Sequence, residues 1–319
     1  MQRSAAVDHG ASAVAAQGRT ARSSRPWLRI FLTGMVLWLV SVAVTYVTGN
    51  ANLIPTIVLL GSFLVPVSFV AWAYERRNSG ELTGELVFRT FIVGGVLGVV
   101  ASSLLESYLL HPSPFLFVGV GLIEEAVKLF ALAFLTRHLV VKSVRDGMIL
   151  GATVGLGFAA FESAGYALTA LITENGVSLS DMVTTEVLRG LLVPVGHGLW
   201  TGILGGVLFA SSSRGKFPIT GKLVLAFLGV SLLHALWDSM HGIAVVITLL
   251  LTGDSWQYQL LSHGWIPGPT YSQVELFTVF TWVGLAGVAI IGLAWLAVMV
   301  RASKHETIAE SPQGVPRQG

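Results

Sequence analysis

The 319-residue sequence contains no cysteine, and Asp, Glu, Lys and Arg together make up only 11% of it, against roughly 25% in an ordinary soluble domain. Without cysteine there is no disulfide, no thiolate nucleophile and no Cys-ligated zinc or iron–sulfur cluster. Such sparse charge excludes a typical cytosolic enzyme. Nineteen Lys and Arg against seventeen Asp and Glu leave a net charge of +2, too small for a nucleic-acid partner. What the sequence has instead is apolar: 53% of the residues are hydrophobic, and the mean hydropathy is +0.74.

The apolar residues form runs long enough to cross a bilayer, for which a helix needs about 20 residues. Eight stretches qualify: Trp27–Thr48, Leu53–Tyr74, Thr90–Leu110, Pro114–Thr136, Met148–Leu171, Val187–Ala210, Leu223–Leu250 and Leu276–Val300. None alternates polar with apolar residues as barrel strands do. The expected fold is therefore all-α, a polytopic membrane bundle of about eight transmembrane helices in a lipid bilayer. The seventh stretch is over-long and is predicted to tilt, kink or break near Gly242.

Orientation follows from the basic residues, which stay on the cytoplasmic side. Seventeen of the nineteen flank alternate ends of the predicted helices, and the intervening loops (about 49–52, 111–113, 172–186 and 251–275) contain none. Both termini are thus predicted to be cytoplasmic, as an even number of crossings requires. The first run is longer than a signal-peptide core and further spans follow it, so it reads as a membrane helix. Residues 1–25 and 302–319 have the composition of disordered cytoplasmic tails around a transmembrane bundle at 26–301. The aromatic 251–275 segment reads as an outer interfacial loop.

Small residues recur at four-residue spacing in the fifth and sixth runs (Gly147, Gly151 and Gly155; Gly198, Gly202 and Gly206), a pattern that lets helix backbones approach closely in lipid. Those two helices are predicted to pack tightly and to bring their polar residues together. Ionisable groups near a bilayer centre cost roughly 2.5–3.5 kcal/mol each, yet this sequence has Glu124, Glu125 and Lys128 in the fourth run, Glu162 in the fifth, His197 in the sixth, and His234 and Asp238 in the seventh. At 1.5 Å per residue, Glu124, Glu162, His197 and His234 each fall ~14–18 Å from a helix end, at a shared depth. They are expected to face one another or water.

Spacing refines this. Glu124 and Lys128 are i,i+4, so Lys128 can hold or orient that carboxylate. His234 and Asp238 are also i,i+4, so Asp238 can fix the imidazole tautomer. Tyr166 shares a face with Glu162, where its hydroxyl can orient the carboxylate or a substrate carbonyl. Arg189, near the outer end of the sixth helix, can pair with a carboxylate or contact substrate. Glu106 and His111 read as headgroup-facing residues near an outer helix end. There is no H-E-x-x-H, a single Asp near the core rules out an aspartyl dyad, and Ser231 with His234 makes no recognisable serine dyad.

The segments EEAVK (124–128), DGMILGATVGLGFAAFESAGY (146–166), RGLLVPVGHGLWTG (189–202) and HALWD (234–238) resemble, in order, the motifs of the PrsW family of intramembrane proteases, distantly related to the CAAX-processing and ABI membrane proteases. The likeness covers roughly residues 114–245, the implied protease core. It implies that Glu124 and Glu125 are the paired glutamates, Glu162 the glutamate of F-x-x-x-E after Phe158, His197 and His234 the two histidines, and Asp238 their acidic partner. Ser163 stands where the family usually has Asn. The resemblance also implies a transmembrane protein substrate, an anti-sigma factor being one such, in a bacterial plasma membrane.

The chemistry fits that activity. Glu162, His197 and His234 can ligate a zinc ion that leaves a position open for water, with Glu124 or Glu125 as general base. A metal-free mechanism, in which a glutamate activates the water directly, stays open. The alternative class is a transporter or a proton or cation relay built from the same buried groups, although no internal repeat is seen.

Overall fold

Pro26 suits a first helical turn because its φ is already helical, and it opens α1 (Pro26–Thr48). Gly49 closes the helix at φ 67°, a left-handed cap whose N–H donates to the Thr45 carbonyl. These are the first elements of a computed structural model that describes residues 25–77, 80–140, 142–174, 176–212, 216–259 and 265–309, with side chains as far as Ser303. A short 3-10 turn leads into α2 (Ile54–Tyr74), and then come α3 (Gly84–Leu109), α4 (Leu116–Thr136) and α5 (Val144–Leu171). A two-rung hairpin of β1 (Ile172–Thr173) and β2 (Gly176–Val177) connects to α6 (Leu179–Leu192), α7 (His197–Ala210), α8 (Gly221–Thr252), α9 (Ser255–Gln259) and α10 (Tyr271–Ala309). Thr83, Ser143, Ser178 and Thr220 cap α3, α5, α6 and α8, each accepting a backbone N–H with its hydroxyl.

The protein is a polytopic helical bundle. Among the described residues, seven helical segments are long and apolar enough to cross a membrane, counting α6 and α7 as one. The eighth crossing is α4. Its 21 residues span about 31 Å, but Glu124, Glu125 and Lys128 put three charged residues inside one 18-residue window, where the other seven have no more than two. The Val140 N–H donates to Glu81 at 3.0 Å, which puts the α2–α3 and α4–α5 connections on one face. After α3 leaves that face, α4 must return the chain to it. Lys142 lies over the Phe217 ring at 4.9 Å, so the α7–α8 connection meets the same face. The basic connections therefore share one side, as the charge pattern predicts.

Three expectations change. The sixth crossing begins at Leu179 rather than Val187, and a 3-10 turn at Val193–Val195 splits it into α6 and α7; Pro194 cannot donate to the helical ladder. The predicted outer loop 172–186 is instead the hairpin and the first part of α6. No break occurs near Gly242: α8 runs unbroken for 32 residues. The expected tails lie outside the described residues, apart from Arg25 and the end of α10, which continues to Ala309.

Helix α5 sits at the centre, mostly buried, while α1 and α10 are largely exposed at the periphery. The predicted close approach of α5 and α7 is present. A Cβ at Gly147, Gly151 or Gly155 would overlap the carbonyl oxygen of Gly205, Thr201 or His197 in turn. The predicted α7 stripe faces α5 as well, with Gly198 on Leu156, Gly202 on Ala152 and Gly206 on Met148, while Gly205 meets Gly147. Gly151→Leu is expected to lower the melting temperature of the detergent-purified protein by several degrees, while Gly242→Ala, at a glycine with open space around it, leaves it unchanged; differential scanning fluorimetry measures both.

Candidate active site

Lys128 is fully buried, and its ammonium is shared among three partners. Nζ donates to Glu124 Oε2 at 2.9 Å and Glu125 Oε1 at 3.0 Å, both on its own helix, and lies 2.8 Å from His197 Nδ1 on α7. The same ammonium stands 4.0 Å from the centre of the Phe158 ring on α5. The expected i,i+4 pairing is therefore present and wider than expected, since one lysine binds both glutamates. Thr201, one turn beyond His197, donates to the other oxygen of Glu125 at 3.2 Å.

His197 is the first residue of α7, delivered by the break at Pro194. Its Nε2 lies 3.1 Å from Glu162 Oε2 on α5, and the same oxygen accepts from Arg189 Nη2 on α6. Arg189 Nε donates to Ser163 Oγ at 2.7 Å. The serine that departs from the family pattern is thus part of the arginine clamp. Tyr166 enters the site differently from the expectation: its ring stacks on the Arg189 guanidinium at 4.3 Å rather than engaging Glu162 through the hydroxyl.

His234 on α8 meets His197 edge to face, with ring centroids 4.9 Å apart. Its Nδ1 lies 3.0 Å from Glu125 Oε1, and its Nε2 lies 3.3 Å from Asp238 Oδ2 and 3.7 Å from Glu124 Oε2. Neither nitrogen is aligned well enough for a hydrogen bond, although His234 is only 1% exposed. A buried imidazole with two unmet nitrogens calls for a further partner. Asp238 is in the expected place beside it.

These groups line or floor a cavity of about 420 Å³, with Glu106, Glu124, Glu162, Arg189, His197 and Asp238 at its wall. Phe117, near the start of α4, and Glu106, near the end of α3, also line it. It therefore lies toward the face opposite the basic connections. Glu106 does not turn to the headgroups as expected but faces this cavity, its Oε1 buried and unpaired. Glu125 is wholly buried behind the wall.

Donor atoms of Glu124, His197 and His234 fall within 4.8 Å of one another, a group that could hold a metal ion. The expected ligand set had Glu162 in place of Glu124. Arg189 holds Glu162 on the far side of His197, and Glu124 supplies the carboxylate oxygen that reaches both imidazoles. Tetrahedral ligands at 2.0–2.1 Å from zinc stand roughly 3.3 Å apart, close to the 3.6 and 3.7 Å from Glu124 Oε2 to His197 Nδ1 and His234 Nε2. Five carboxylates (Glu106, Glu124, Glu125, Glu162 and Asp238) face two fixed cations (Lys128 and Arg189), an excess of acidic groups that a divalent ion would offset. The residues fit such an ion, with one competitor: Lys128 already engages two of the three donor atoms, Glu124 Oε2 and His197 Nδ1.

Residues 83–261 match the family described as PrsW family intramembrane metalloprotease. The chain belongs to the PrsW family. Among its relatives, Protease PrsW of Halalkalibacterium halodurans is 28% identical over 60% of this chain and 90% of its own length. Protease PrsW of Geobacillus kaustophilus is 26% identical over 66% of this chain and 83% of its own. No solved structure matches the chain significantly. Membership places this multi-pass protein among peptidases, and so favours a hydrolase over a transporter or relay.

Sequence reasoning missed Thr201 and Glu106. Thr201 is i,i+4 from His197, a spacing that puts it on the same helix face, while nothing in the sequence aims Glu106 inward. Lys128→Met leaves two buried carboxylates without their cation. It is expected to cost about 3–5 kcal/mol, read as a large loss in chemical-denaturant resistance. Arg189→Gln, at a pair about a fifth exposed, is expected to cost much less.

Proposed function

We propose that this cavity hydrolyses a peptide bond of a transmembrane protein substrate, with a zinc ion held by Glu124, His197 and His234. The observation that carries the reading is the convergence of those three donors, with Glu124 and His197 lining a polar cavity inside the bundle and His234 buried beside them. Bound zinc would supply a Lewis acid for the scissile carbonyl and lower the pKa of a water molecule. A substrate segment unwound into the cavity would reach the site from the face away from the basic connections.

The protein's own groups divide the remaining work. Glu162 takes the proton of the attacking water. Its Oε2 is engaged by Arg189 and His197, and its Oε1 has no protein partner among the described residues. Arg189 and Ser163 fix that carboxylate in place, and Arg189 faces the cavity as a donor for a substrate carbonyl. Glu125, 3.0 Å from Nδ1, orients His234 and leaves Nε2 for the ion, and Asp238 stands beside that Nε2 at the cavity wall. Lys128 holds Glu124 and Glu125 in register, and Glu125 with Thr201 braces the lysine from behind. Glu124 and Glu162 thereby exchange the roles expected from the sequence, because the fold sets Glu124 between the imidazoles. An anti-sigma factor is one substrate of the proposed kind, and the bacterial plasma membrane is the proposed location.

Purified protein is expected to contain about one zinc per chain by mass spectrometry of its metals. Glu124→Gln and His234→Ala lose it. Glu162→Gln keeps it and cuts a single-span membrane substrate at least about a hundredfold more slowly. Metal lost from Glu162→Gln but kept in Glu124→Gln would restore the original assignment. Cleavage undiminished in all three would remove the site from the reaction.

A further inference from the structure

A second cavity, of about 470 Å³, lies among α2, α5, α7 and α10, apart from the candidate active site. Its walls are apolar: Phe69 and Trp72 from α2, Met148 from α5, and Leu293 and Leu296 from α10. Its polar end is different. Arg76, just past the end of α2, and Arg145, in the first turn of α5, line it beside Ser303 near the end of α10. All three belong to the face that bears the basic connections, so the cavity runs from a doubly cationic rim into an apolar interior.

We infer that this is a binding site for one anionic phospholipid, its phosphate on Arg76 and Arg145 and an acyl chain along the apolar walls. Apolar walls alone cannot select a ligand here, because lipid tails are as apolar as the side chains they would leave. Selection must come from the rim. Basic pockets between membrane helices on the positively charged side take anionic headgroups, and guanidinium forks match phosphate oxygens. Arg76 is held ready, with its guanidinium 4.2 Å from the Trp72 ring and Nη1 donating to the Trp72 carbonyl at 2.9 Å. That uses one of five donors and leaves the others for a ligand.

The inner end of the cavity reaches Pro194 and Val195, the turn that splits α6 from α7. The neighbouring residues of that turn, Val193 and Gly196, line the catalytic cavity together with His197. A bound acyl chain therefore packs against the outside of the segment that delivers His197.

Native mass spectrometry of the full-length protein tests this, with equimolar phosphatidylglycerol and phosphatidylcholine added in detergent. Wild type is expected to retain one phosphatidylglycerol with about thirtyfold preference, from two arginines worth roughly fivefold each. Arg76→Gln with Arg145→Gln reduces that preference to near parity. Met148→Trp, which fills the cavity and leaves the rim intact, loses the adduct. A melting curve for each variant reports whether it is folded, and in an unfolded case the single arginine variants replace the double one. Equal retention of both lipids by wild type, or a preference unchanged in the arginine variants, overturns the inference. Binding of glycerol phosphate as tight as that of the whole lipid would overturn the acyl-chain half of it. Zinc content and peptidase activity do not enter this measurement, so it stands or falls separately from the proposed hydrolysis.

Discussion

One buried ammonium organises this protein. Lys128 has no access to water and gives its protons to Glu124, Glu125 and His197, which come from two helices. Charges in a low-dielectric interior are tolerable only when neutralised at close range, so the lysine dictates where α4 and α7 can sit. The helices then have little freedom to separate. Moving α4 outward would carry the lysine and its two carboxylates together but would part Lys128 from His197 and Glu125 from Thr201 and His234.

Close backbone packing makes this arrangement reachable. Carbonyl oxygens of α7 rest on glycines of α5, which brings His197 within side-chain reach of Phe158 and Glu162. A side chain at any of those glycines would hold the helices apart by more than a hydrogen bond can span. The interruption at Pro194 adds a second adjustment. An unbroken helix could not turn both Arg189 and His197 onto Glu162, whereas two half-helices joined by a short turn place one on each side of it. Irregular backbone at membrane depth is tolerated where protein or a polar cavity surrounds it, and here both do.

The two cavities share this broken segment. One is polar, lies toward the face away from the basic connections and is the proposed seat of the peptidase chemistry. The other is apolar with a cationic rim on the opposite face. The bundle thus has a polar cavity and an apolar one, separated by residues 193–197. A substrate's water and the bilayer's acyl chains meet the same turn from opposite sides.

Much of this was legible in the sequence. Run length gave the crossings, including the charged α4, and the alternation of basic loops gave which connections share a face. The cost of ionisable groups in lipid singled out Glu124, Glu125, Lys128, Glu162, His197, His234 and Asp238 as a group that must meet. These are one-dimensional properties, because solvent transfer and helix rise depend on residue type and spacing alone. Which carboxylate stands between the two imidazoles is another matter. Glu124 and Glu162 sit at similar depths on different helices, and only the rotation and separation of those helices decide which oxygen reaches His197 and His234. The inward turn of Glu106, the stacking of Tyr166 on Arg189, the split at Pro194 and the lipid-sized cavity are likewise set by packing among four or more helices, which no local spacing encodes.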